Sequence, residues 1–101
     1  MGVVITKWTK AIKPIGTKGC VVGFTAISWY DMIVEGFQVI NGPRGLFLEM
    51  PTQRTRAGRR LRLVRFRTVA VQEAFKAEML AALIRAYPED FIGFEAEPPG
   101  R

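Results

Sequence analysis

Histidine is absent from this 101-residue sequence, and cysteine occurs once, as Cys20. Without histidine, neither a Ser-His-Asp triad nor a Cys-His pair can be assembled within the chain. The same two counts remove the usual Cys/His zinc sites and any intramolecular disulfide framework. No apolar run approaches the roughly 20 residues that span a bilayer. Met1 to Lys18 carries Lys7, Lys10, Lys13 and Lys18 among its apolar residues and lacks the uninterrupted apolar stretch of a signal peptide. The expectation is a soluble, cytoplasmic, non-enzymatic protein with no metal, no cofactor, no small-molecule substrate and no membrane insertion.

What is present suffices for a core. The chain is 49% hydrophobic and 24% charged, and at this length a single domain should bury roughly 60 to 70% of its unfolded surface. Val3 to Lys10 alternates in the manner of a strand and precedes a turn cluster, Pro14 to Gly19. Cys20 to Trp29 is rich in β-branched and aromatic residues. It reads as a second strand, with Val22, Phe24 and Ala26 on one face and Val21, Thr25, Ile27 and Trp29 on the other. Ile33 to Asn41 gives a third strand, the turn Asn41-Gly42-Pro43-Arg44-Gly45 follows, and Leu46 to Met50 gives a fourth, stopped by Pro51. Thr52 to Arg60 has no apolar periodicity and reads as a solvated loop. Leu61 to Arg67 extends as a fifth strand.

The period changes near Val69. Val71, Phe75, Met79 and Leu83 recur every fourth residue, with Leu80, Ile84 and Tyr87 on an adjoining stripe, which predicts an amphipathic helix over 69–87. Thr68 is its N-cap and Pro88 ends it. The fold class is therefore α+β: a mainly antiparallel sheet of about five strands followed by one C-terminal helix, a single domain over 1–90. Residues 91–101 read as an acidic, Pro-rich, mobile tail. One helix cannot cover both faces of such a sheet, so a homodimer formed through a sheet face or edge is expected.

Charge is uneven along the chain. Residues 1–70 hold 12 basic and 3 acidic side chains, whereas residues 71–101 hold 3 and 6. Within residues 54–67 lie Arg54, Arg56, Arg59, Arg60, Arg62, Arg65 and Arg67, with no acid and no lysine among them. A merely solubilising surface would use lysine and intersperse acids, whereas the planar guanidinium supplies paired donors to phosphate oxygens. The segment reads as a nucleic-acid footprint on DNA or RNA, with Arg44 a lesser addition. The alternative is a solvated face whose arginines pair with the acidic tail, or an adaptor surface docking an acidic protein partner.

Other candidates have structural readings. Trp8, Trp29 and Tyr30 could stack on bases, but aromatics in strands are more often core or interface. Cys20 reads as a small buried hydrophobe. Asp31, Glu35 and Glu49 offer carboxylates, yet nothing in their spacing forms an acid/base pair.

The run from Val39 to Thr55, VINGPRGLFLEMPTQRT, resembles the signature of the stage V sporulation protein G (SpoVG) family of septation regulators. The resemblance extends more weakly over most of residues 3–87. It implies a small bacterial α+β protein that dimerises through its sheet and binds DNA, and in several members RNA. Such a protein would regulate gene expression linked to sporulation and division septum formation, and an association with the nucleoid would fit. Arg54 and Thr55 match the family's nucleic-acid-contacting element after Met-Pro. Gln53 stands where many members have lysine. Arg56-Ala57-Gly58 replaces a Pro-Asp-Gly turn, and Phe66-Arg67 replaces a His-Pro pair.

Overall fold

The computed structural model describes residues 3–11 and 19–97. Most of the expected turn cluster from Pro14 to Gly19, and residues 98–101 of the expected tail, lie outside the described residues. Four antiparallel strands form the main sheet in the order β1-β2-β3-β4: β1 (Val4–Lys10), β2 (Val21–Trp29), β3 (Met32–Gly42) and β4 (Gly45–Glu49). Their order in space is their order in sequence, and neighbouring strands pair antiparallel, so no crossover is needed. A separate two-stranded ribbon pairs β5 (Thr52–Arg54) with β6 (Arg60–Arg62). A single α-helix, α1 (Val69–Ala86), follows, and then a short 3-10 turn over Pro88–Phe91. The architecture is α+β, as composition and periodicity imply. The main sheet has four strands, not about five.

Local chemistry accounts for the turns. Tyr30 and Asp31 both have positive φ, 49° and 61°, which is the geometry of the two-residue turns that match strand twist in a hairpin. Gly42 pairs with Gly45 around Pro43-Arg44. Proline fixes φ for the first turn position, and Gly45 takes φ +129°, a conformation that residues with a Cβ rarely adopt.

Strict alternation fails in β2. Its register to β3 shifts between Val21 and Gly23, where β2 carries the extra residue, and again between Thr25 and Ile27, where β3 carries it, so the side-chain direction of β2 is reset near Val22 alone. Val22, Thr25, Ala26 and Ile27 are all buried, and Phe24 remains 44% exposed. The two-face division expected for this strand therefore does not hold along its whole length. Val22 and Ile27, of opposite parity, join the same core.

That core lies between one face of the sheet and α1. Phe37, Val39, Leu46 and Leu48 meet Phe75, Met79, Leu80 and Leu83, the helical residues being spaced to share one face. The expected stripe is shorter than its periodicity suggests: Val71 and Tyr87, at the two ends, stay partly exposed. Thr68 caps the helix, its Oγ1 accepting from the Val71 amide at 3.3 Å. Pro88 opens the 3-10 turn instead of continuing the helix.

The helix packs on both β4 and β1, the two outer strands. The segment after it returns the other way. At β1, the Trp8 indole donates to Asp90 Oδ2 at 2.8 Å, Lys10 lies 3.6 Å from Asp90 Oδ1, and the Trp8 and Phe91 rings are 5.2 Å apart. At β4, the Leu46 amide donates to the Glu95 carbonyl at 2.7 Å and the Glu97 amide donates to the Leu46 carbonyl at 2.8 Å, a parallel bridge between Leu46 and Ala96. Residues 91–97 of the expected mobile tail are thus held: Phe91 is buried, and the β4 backbone supplies partners that the polar sequence does not advertise. Among the described residues, no helix is long and apolar enough to cross a membrane.

Candidate nucleic-acid interface

The arginine-rich segment is a structured ribbon, contrary to its reading as a solvated loop over Thr52–Arg60 and a strand over Leu61–Arg67. The Thr55 amide donates to the Arg59 carbonyl at 2.8 Å, and the Gly58 amide donates to the Thr55 carbonyl at 3.0 Å. Gly58 has φ +84°. This is a three-residue hairpin loop closed by a glycine in the left-handed region. The Thr55 hydroxyl oxygen accepts from the Arg59 amide at 3.2 Å, so Thr55 shapes the turn that presents Arg56 and Arg59. Strand β6 ends at Arg62, after which the Leu63 amide bonds the Pro51 carbonyl and the chain leaves the ribbon. Arg65 and Arg67 belong to the irregular link to α1, between side chains that turn inward: Val64 and Phe66 pack against the core.

Register places the ribbon arginines together. Arg54 pairs with Arg60 and Thr52 with Arg62, so a side-chain period of two sets Arg54, Arg60 and Arg62 on one face. Like charges directly opposite each other destabilise a ladder. Compensation within the chain is slight: Arg60 lies 3.4 Å from Glu49, and among the described residues Arg54, Arg56, Arg59, Arg62, Arg65 and Arg67 form no ion pair. All seven arginines are exposed. Among the described residues no ion pair joins these arginines to the acidic segment, whose Asp90 is engaged by Trp8 and Lys10 on β1. Arg44 sits in the β3–β4 turn, at the opposite end of β4 from the ribbon.

Two residues that sequence reasoning passed over adjoin this surface. Gln72 and Lys76 on α1 face a cleft of about 270 Å³ whose wall also includes Arg62 and Arg65. Their i, i+4 spacing puts them on the side of the helix next to its apolar stripe. Gln72 Oε1 accepts from the Phe66 amide at 3.1 Å, fixing the link that carries Arg65 and Arg67.

The aromatic candidates divide. Trp8 is half-buried and packs against Tyr87 and Phe91 of the C-terminal segment, with ring centroids 6.4 and 5.2 Å away. Trp29 packs against Phe66 and Phe75, at centroid distances of 5.7 and 5.6 Å, with its indole nitrogen buried and without a hydrogen-bond partner. Tyr30 is 79% exposed at the tip of the β2–β3 turn. Cys20 is half-buried. No group of three or more potential metal-ligating side chains converges among the described residues.

No known family model matches the chain, and no curated protein matches it.

Proposed function

We propose that this protein is a non-enzymatic, nucleic-acid-binding regulator, and that the β5–β6 ribbon with its link to α1 is the binding surface. The observation that carries the reading is the ribbon's charge arrangement. Six exposed arginines lack an acidic partner among the described residues, and two arginines are paired directly across a ladder. A ribbon selected for stability alone would not oppose like charges. Phosphate oxygens would relieve that repulsion and use the bidentate guanidinium geometry. Phosphate contacts position a protein on nucleic acid without reading its sequence.

The resemblance of Val39 to Thr55 to the SpoVG signature supports a regulator of sporulation and division septum formation acting in the bacterial cytoplasm. A homodimer fits the sheet, since α1 covers one face and Phe24 stays exposed on a strand of the other. The test is fluorescence anisotropy of nuclease-treated protein with labelled duplex DNA and single-stranded RNA between about 50 and 200 mM salt, where several phosphate contacts produce a steep loss of affinity. Absence of binding to both at low salt removes the reading.

A second reading, an adaptor that docks an acidic protein partner, is favoured by Leu61 and Leu63, which are exposed beside the arginines. Nuclease treatment of a native lysate separates the two: a nucleic-acid binder loses its high-mass association and an adaptor keeps it.

A further inference from the structure

The turn between β2 and β3 is built against its own backbone preference. A two-residue hairpin turn with φ positive at both central positions favours Asn-Gly or Asp-Gly, and here it is Tyr30-Asp31, at φ 49° and 61°. Aspartate is among the side chains that tolerate the left-handed region, whereas a bulky side chain there is an outlier that costs stability. Burial does not offset that cost, because Tyr30 is 79% exposed. A turn selected for stability alone would hold asparagine or glycine at this position. The fold by itself gives no account of the ring.

Its neighbours supply one. Trp29 packs against both Tyr30 and Phe66, at centroid distances of 5.2 and 5.7 Å. Phe66 is flanked in the chain by Arg65 and Arg67, both exposed. A line of aromatic rings thus runs from the turn to the arginine link. Met32 pairs with Trp29 across the turn and is 51% exposed. Cross-strand partners share a sheet face, so this second exposed apolar side chain stands on the face that Trp29 shares with Phe75 of α1.

An exposed ring beside exposed guanidinium groups matches the two chemistries of a single strand, phosphates along its backbone and bases with free faces. Base stacking on an aromatic side chain is tolerant of sequence, because every base has a π-face. Bases inside a duplex are already stacked on one another, whereas those of a single strand can be splayed onto a protein ring.

We infer that Tyr30 is a stacking platform for one unpaired base of a single-stranded nucleic acid whose phosphates lie on Arg65 and Arg67. This rests on the nucleic-acid reading of the arginine segment and adds a preference to it: the arginines attract any phosphate backbone, and Tyr30 favours strands with free bases.

The experiment measures anisotropy at fixed salt for the wild-type protein, Tyr30→Phe and Tyr30→Asn. The ligands are an oligothymidylate and an abasic strand of the same length, which keeps the phosphates and lacks the bases. The wild-type protein and Tyr30→Phe should bind the base-bearing strand about fivefold or more tightly than the abasic one. Tyr30→Asn should bind both strands with the wild-type affinity for the abasic one, while urea unfolding shows it at least as stable as the wild type. A destabilised Tyr30→Asn would assign the ring to the turn and overturn the proposal. Equal wild-type affinity for the two strands, or a base preference retained in Tyr30→Asn, would overturn the stacking role and leave the phosphate contacts. No binding to either strand would remove both.

Discussion

Arg54 and Arg60 stand opposite each other in the β5–β6 ladder, and Glu49, 3.4 Å from Arg60, is the nearest compensation the chain supplies. The arrangement costs folding free energy, so relieving it should raise stability and lower affinity together. Replacing Arg54 by Thr, a residue suited to strands, should stabilise the protein by about 0.2–1 kcal/mol. The same change should reduce the slope of log affinity against log salt by roughly 0.9 on duplex DNA if one phosphate contact is lost. Urea unfolding and salt-titrated anisotropy on the same preparation measure the two effects. A variant with unchanged stability and unchanged slope would remove Arg54 from the site and the repulsion from the argument.

Gly45 is the position where the C-terminal segment meets the sheet. A Cβ there would lie 2.6 Å from the Glu95 carbonyl oxygen and 3.0 Å from the Glu97 nitrogen, at a φ of +129°. Gly45→Ala should therefore destabilise the protein by about 1–3 kcal/mol from backbone strain alone and separate residues 95–97 from β4. Amide hydrogen exchange should show the Leu46 and Glu97 protons losing protection. Retained protection at both would mean that the bridge tolerates the change.

Gly23 has an equivalent role at the other side of the sheet. An added Cβ would overlap the Trp8 ring and approach the Thr9 carbonyl oxygen at 2.7 Å. Gly23→Ala should displace the indole from beneath Phe91 and Asp90, cost on the order of 1–3 kcal/mol as overpacking does, and red-shift the tryptophan fluorescence. Unaltered emission would show that the ring moves within its pocket.

Asp90→Ala removes the acceptor of the buried end of Trp8 and the partner of Lys10. A charged acceptor lost from a part-buried donor should cost about 1–3 kcal/mol, and Asp90→Asn, which keeps an acceptor oxygen, should cost less. Equal losses for the two variants, read by chemical denaturation, would assign the contribution to charge and not to the indole hydrogen bond.

The proposed dimer makes its own demand on the uncovered sheet face. The wild-type protein should sediment as a dimer at micromolar concentration, and Phe24→Glu should shift it to the monomer if that face is the interface. A wild-type monomer would leave Phe24 one exposed aromatic among others, which is ordinary on a protein surface.

The parts of the fold legible in the sequence are those whose apolar residues keep a period. Phe75, Met79 and Leu83 announced α1, and Thr68 and Pro88 marked its ends. The first four strands were legible because Val39, Leu46 and Leu48 sit among turn residues, although β2 misled where its bulge resets the alternation at Val22. The ribbon was hidden because its pairing residues are arginine, threonine and glutamine, with no apolar pattern; the glycine three residues after Thr55 was the cue. The clasp of residues 95–97 was hidden for a different reason: the Leu46 backbone makes it, and Ala96 carries no side-chain signal. For the candidate site, the arginines were legible by type and crowding. Gln72 and Lys76 were not, because only tertiary packing brings a helix face to the ribbon.

The hydrogen bond between Trp8 and Asp90 joins residues 82 positions apart, a separation with a consequence for folding kinetics. The hairpins β2–β3 and β3–β4 close over short chain lengths, whereas closing so long a loop loses more chain entropy before any contact rewards it. The Trp8–Asp90 contact should therefore be among the last structure to form and the first to be lost. Interactions absent from the folding transition state act on the unfolding rate. Cutting the Trp8–Asp90 link should accordingly shorten the native lifetime while refolding proceeds at nearly its former speed, which makes the turn over Pro88–Phe91 a latch on the lifetime of the folded state.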